Sequence, residues 1–137
     1  MEIDKFVDIT LIKHNDIIIL QYVVKHSEPT PLQWIFAINE TKKYLEDLKQ
    51  ADINFGFLFD IRKLGLISMN YMKEFTELMA SNAPLLESKL YASFAVAQGT
   101  LLKSFFGIVN TFYKTKKPLK IVDNMEDGFK FIEENLF

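Results

Sequence analysis

Phe55-Gly56-Phe57-Leu58-Phe59-Asp60 is the stretch on which the reading of this fold turns. It is too short for a helix, apolar along most of its length and bounded by polar residues, a pattern that suits a strand buried on both faces. Such strands lie inside α/β sheets, so helices are expected on either side of it in the chain. Upstream, Thr30-Pro31-Leu32-Gln33 has the marks of a helix start. Thr is an N-cap, Pro suits the first helical position, and Gln is placed to complete a capping box. Trp34, Ile38, Leu45 and Leu48 continue at helical spacing, which predicts a helix to about Gln50. Downstream, Ser68 is placed to cap a helix whose apolar positions Met72, Phe75, Met79 and Leu86 fall on one side. Pro84 is expected to kink or divide that helix near Asn82-Ala83.

Further out the same alternation continues. Phe6, Ile9, Leu11 and the run Ile17 to Val24 are broken at His14-Asn15-Asp16, which reads as an opening antiparallel hairpin. Tyr91 to Ala97 is a further strand, Thr100 a cap for a helix from Leu101 to about Lys114, and Leu119 to Val122 a short last strand. Asn124 caps a terminal helix expected to turn Met125, Phe129, Ile132 and Leu136 inward. The order is β-β-α-β-α-β-α-β-α: a single α/β domain over residues 1–137, with a mixed, mostly parallel sheet and right-handed crossovers.

Composition narrows the function classes. The chain has 137 residues, 49% of them hydrophobic, so one domain can build its core without staples. Sixteen Lys and Arg against 18 Asp and Glu remove the broad basic field of a nucleic-acid binder. Zero Cys excludes disulfides, thiolate metal sites and a Cys nucleophile. Met1 to Lys5 is charged and lacks a signal-peptide core, and no apolar run reaches the ~18 residues of a membrane span. The expectation is a soluble, cytoplasmic protein without a transmembrane segment. Thirteen Phe residues must be buried in a core, in a pocket or against a partner.

The strand Phe57-Leu58-Phe59-Asp60, the loop Ile61 to Ser68 entering a helix, and the tail Lys120-Ile121-Val122-Asp123-Asn124-Met125-Glu126-Asp127-Gly128-Phe129-Lys130-Phe131-Ile132 resemble the STAS domain (sulphate transporter and anti-sigma-factor antagonist). The likeness is to its SpoIIAA-like branch and covers nearly the whole chain. It implies a non-catalytic regulatory or protein-interaction module. Through the related Sec14-type domains it also implies an alternative, a carrier for a lipid or other apolar small molecule. One departure stands out: where switch members carry an Asp-Ser-Ser-Gly-type motif, this chain has Ser68-Met69-Asn70-Tyr71. The switch serine falls on Met69 or Asn70, neither of which accepts phosphate, and Ser68 is explained as an N-cap.

The chemistry-bearing residues are sparse. His14 and His26, the only histidines, stand at opposite ends of one strand and read as solvated surface. Asp60, Arg62 and Ser68 form a candidate regulatory loop at the carboxyl end of the central strand, where open α/β sheets place functional groups. Asp60 reads first as a turn residue accepting loop N–H bonds. Lys114, Lys116, Lys117 and Lys120 form a basic cluster that reads as a solvated loop. On the helix from Leu101 to Lys114, Leu101, Phe105, Ile108 and Phe112 make one stripe and Leu102, Phe106, Val109 and Tyr113 a second, an arc of roughly 160°. One stripe serves the sheet. The second is expected to cover a neighbouring helix, line an apolar pocket, or face a protein partner or a second copy of the chain. Phe and Met on the Met72 to Leu86 and Leu101 to Tyr113 segments are suited to lining a cavity. No metal, cofactor or catalytic set is expected. An enzyme would have to rest on carboxylates such as Asp60, with no second carboxylate placed beside it.

Overall fold

Asn15 and Asp16 adopt φ of 47° and 68°, the left-handed region that Asn and Asp tolerate better than other side chains, and so close a two-residue hairpin. The flanking strands β1 (Val7–His14) and β2 (Ile17–Val24) pair antiparallel from Val7 against Val24 to His14 against Ile17. Thr30 and Gln33 then form the capping box in full. Thr30 Oγ1 accepts from Gln33 N at 3.1 Å, and Thr30 N donates to Gln33 Oε1 at 3.0 Å. Helix α1 (Pro31–Ala51) follows and ends at Asp52, itself left-handed at φ 56°. This computed structural model describes residues 4–65, 67–97 and 117–137.

Strand β3 (Phe55–Asp60) pairs parallel to β2 and to β4 (Leu90–Val96), and β5 (Leu119–Val122) pairs parallel to β4. The sheet order is β1-β2-β3-β4-β5. Between β3 and β4 run two helices, α2 (Met69–Ser81) and α3 (Ala83–Lys89), divided at Asn82, where Pro84 is expected to kink or divide one helix. Pro84 has no N–H to offer the Ala80 carbonyl, so the α2 ladder stops. Asn82 turns its side chain back onto Leu78 O instead. The helix expected over 101–114 lies outside the described residues. Helix α4 (Met125–Glu133) closes the chain, capped by Asn124 Oδ1, which accepts from Asp127 N at 2.9 Å. It stops at Glu133, so Leu136, expected inward as part of this helix, lies past its end and is 45% exposed.

Crossovers of one hand that step β2 to β3 to β4 in one direction bring their helices to the same face. Phe55 and Phe57 of β3 accordingly pack with Trp34, Ile38 and Leu45 of α1, Met79 of α2 and Leu86 of α3. The opposite face, with Leu58 and Phe94, is covered by Ile132 of α4. Along β4 the alternation slips once. Phe55 is level with Leu90, but Phe57 is level with Ser93, so three residues of β4 answer two of β3. Tyr91 and Ala92 both pack on the α4 side, and every later residue changes face.

Gly128 is where α4 comes closest to the sheet, and a Cβ placed there would overlap the Phe94 ring. Phe94 is itself fully buried and cannot retreat. Gly128→Ala is therefore expected to lower stability by about 1–3 kcal/mol despite its better helix propensity, read from urea denaturation followed by circular dichroism. An unchanged or higher midpoint would show that the contact between α4 and β4 is looser than described.

Candidate functional site

The helix-covered face of the sheet does not close on itself. Between it and the helices lies a cavity of about 150 Å³. Alternation along the strands supplies its floor: Tyr22 and Val24 from β2, Phe57 and Phe59 from β3, Leu90 and Ser93 from β4, and Leu119 from β5. Its roof comes from Trp34, Ala37, Ile38 and Thr41 of α1, spaced three and four apart as one helix face requires. Met72, Phe75 and Met79 of α2 and Leu86 of α3 complete it. The four α2 and α3 residues are the same apolar stripe the sequence singled out. Among the described residues no charged side chain lines the cavity.

Aromatic rings give this face its shape. Tyr22 lies 5.0 Å from Phe59, Phe57 lies 5.3 Å from Phe59, and Phe75 meets Phe59 edge-on at 6.2 Å. Trp34 stacks on Tyr71 at 4.7 Å and donates its indole N–H to Glu74 Oε1 at 2.8 Å, which ties α1 to α2 over the cavity. One hydrogen bond joins two buried hydroxyls: Tyr22 donates to Thr41 Oγ1 at 3.0 Å. Burial drives the Tyr22 hydroxyl far above the usual tyrosine range, so it stays protonated and neutral wherever the protein is folded. Ser93 is different. The residue is 7% exposed and lines the cavity, and its hydroxyl makes no hydrogen bond among the described residues.

The candidate regulatory loop lies apart from this cavity. Asp60 is 8% exposed and belongs to the opposite parity of β3, with Leu58. Its Oδ1 accepts from Arg62 N and Nε at 3.3 and 2.9 Å, and its Oδ2 accepts from Arg62 Nη2 at 2.8 Å. These bonds hold the Asp60 carboxyl below the usual carboxylate range and raise the Arg62 guanidinium in turn. The turn reading of Asp60 is what the geometry shows. Arg62 spends its Nε and Nη2 on Asp60, and its side chain is 43% exposed. Ser68 caps α2, its Oγ accepting from Asn70 N at 3.2 Å, and it does not join the Asp60–Arg62 pair.

The remaining sequence candidates scatter. Leu102, Phe106, Val109 and Tyr113, with Lys114 and Lys116, lie outside the described residues. Lys117 and Lys120 sit over the rings of Phe137 and Phe131, at 4.2 and 5.7 Å. His14 stacks on Phe129 at 4.1 Å and meets Glu133 Oε1 at 3.1 Å, joining the hairpin turn to α4, while His26 meets Asp4 at 3.0 Å. Asn15 and His14 together hold the Glu133 carboxyl below its usual range. Among the described residues no group of three His, Cys, Asp or Glu side chains is placed to hold a metal ion, and no helix is long and apolar enough to cross a membrane. Thr41 and Ser93 were not among the sequence candidates. Thr41 does continue the Trp34, Ile38, Leu45, Leu48 spacing at 1% exposure, a polar residue on a core stripe, and that was its available signal.

Because the Asp60 pKa is lower folded than unfolded, its pairing adds stability above the unfolded value near 4 and loses it as pH falls through the folded value. Asp60→Asn is expected to cost about 1 kcal/mol at neutral pH, a modest figure because Arg62 is half in solvent. The gap between wild type and variant, measured by denaturation at a series of pH values, should hold from pH 7 to about 5 and close below about 4. A gap independent of pH would mean that Asp60 acts without its charge.

Comparison with known proteins fits this architecture. No protein-family model and no curated protein matches the chain. A solved structure does: an uncharacterised protein of the DUF3478 family with a SpoIIAA-like fold, from Shewanella loihica PV-4. It is 14% identical over 96% of this chain and 98% of that one, at a TM-score of 0.66. Identity that low speaks to fold alone, and with the hairpin, the parallel run β2 to β5 and the helices on both faces it gives this chain a SpoIIAA-like α/β fold.

Proposed function

We propose that this protein is a non-catalytic regulatory module of the STAS type whose input is a small apolar molecule held in the cavity beneath α1 and α2. The observation that carries the reading is the cavity itself, about 150 Å³ lined almost wholly by apolar and aromatic side chains. Protein interiors pack as densely as organic crystals, with few voids larger than a water. Water fills such a space poorly, because a water needs two to four polar partners and the described lining offers few. An engineered void of the same volume, lined by Leu, Ile and Phe, stays dry and takes up benzene. An apolar ligand is the filling that this chemistry favours.

The regulatory part of the reading follows from where the ligand would sit. It touches α1, α2 and the sheet at once, so occupancy biases how firmly the helices are held on the sheet. The output is a contact with a protein partner or a second copy of the chain, for which Leu102, Phe106, Val109 and Tyr113 are the proposed face.

Ala37 lies on the roof of the cavity and tests the reading by sign. In a filled interior, Ala37→Leu would overpack and cost about 1–3 kcal/mol. Over a true void the added carbons occupy empty space, so the melting temperature is expected to hold or rise. Toluene, titrated by calorimetry, is expected to bind wild type and to bind the variant at least tenfold more weakly. Native mass spectrometry of freshly purified protein should show an added mass that organic extraction removes. Failure of toluene to bind wild type, together with a destabilised variant, would overturn the proposal.

A further inference from the structure

Ser93 carries this inference, which rests on the cavity reading above. Of the hydroxyls that line the cavity, those of Tyr22 and Thr41 are bonded to each other, while that of Ser93 has no partner among the described residues. The residue as a whole is more than nine-tenths buried, and what its hydroxyl faces is the cavity. Its position is deliberate in the geometry. Without the extra residue in β4, the alternation that starts at Leu90 would turn Ala92 and Phe94 to the helices and Ser93 to α4. The bulge turns Ser93 to the cavity instead. There it stands level with Phe57 and Leu119, which also line the cavity, and its own N–H is held by Pro118 O at 2.9 Å.

We propose that the cavity selects a small neutral molecule with an apolar body and one hydrogen-bonding group, a hydroxyl or carbonyl, which docks on the Ser93 hydroxyl. Serine both donates and accepts, so it fits either group. A charged group would meet no compensating cation or anion among the described lining residues. The volume admits a body about the size of one aromatic ring.

Phenol and toluene have nearly the same shape and differ by a hydroxyl in place of a methyl, so they separate the hydrogen bond from the filling of space. Each is titrated by calorimetry into wild type, Ser93→Ala and Ser93→Cys. The expectation is that Ser93→Ala weakens phenol about 3- to 10-fold, the worth of one neutral hydrogen bond, and changes toluene less than about 2-fold. Ser93→Cys, which keeps the volume but has a poor donor, is expected to lie between for phenol. Parallel loss of both probes would make Ser93 a packing residue only and overturn the inference, as would toluene binding to a wild type that ignores phenol. Should wild type bind neither probe, the cavity reading itself falls, and this inference falls with it.

Discussion

Burial of β3 on both faces is the constraint to which the other elements answer. A strand in the middle of a sheet sends alternate side chains to opposite sides, so Phe55, Phe57 and Phe59 demand one cover while Gly56, Leu58 and Asp60 demand another. The two demands are unequal. Three phenyl rings stand tall and need a deep roof, which α1, α2 and α3 provide together. The other side presents a glycine and one leucine, a low surface onto which the single short helix α4 can settle closely, with Gly128 against Phe94 and Ile132 over Gly56. The lopsided shape of the molecule, three helices against one among the described residues, follows from the size alternation of six consecutive residues.

The cavity is a consequence of the same inequality. Tall rings on the floor and long side chains on the roof leave gaps wherever they fail to interdigitate, and the roof here places small Ala37 and Thr41 opposite the floor. Neither would hold the void open alone. The Trp34 contacts with Tyr71 and Glu74 fix α1 and α2 to each other above it, and Phe59 meets Tyr22, Phe57 and Phe75 at its base. A ring-braced frame resists the collapse by which soft cores fill their own holes.

Much of the fold was legible because its signals are local. Asn15-Asp16, the Thr30 to Gln33 box, Ser68, Pro84 and Asn124 each act within four residues of themselves, and each is found where its chemistry predicts. The apolar run of β3 and the stripe Met72, Phe75, Met79 and Leu86 could be read for the same reason. What sequence reading missed depends on tertiary register. Leu136 continues the spacing of α4 faithfully, but the helix has already ended, and spacing alone carries no stop at Glu133. Asp60 and Arg62 were named together without their mutual bonding, which needs the bend of the chain past β3.

Ser93 shows the limit most sharply. In a strand of strict alternation that begins with Leu90 facing the helices, residue 93 would face α4, and a serine there would be an unremarkable small residue against a helix. A bulge reverses the facing of all that follows it, yet Tyr91-Ala92-Ser93 bears no glycine or proline to announce one. The reason for the bulge lies across the sheet. Phe94 seats on the α4 side, where Gly128 leaves room for its ring and Phe129 meets it edge-on. Seating Phe94 there turns its neighbour Ser93 to the cavity, so the facing of that hydroxyl is set by how a ring packs on the other side of the sheet.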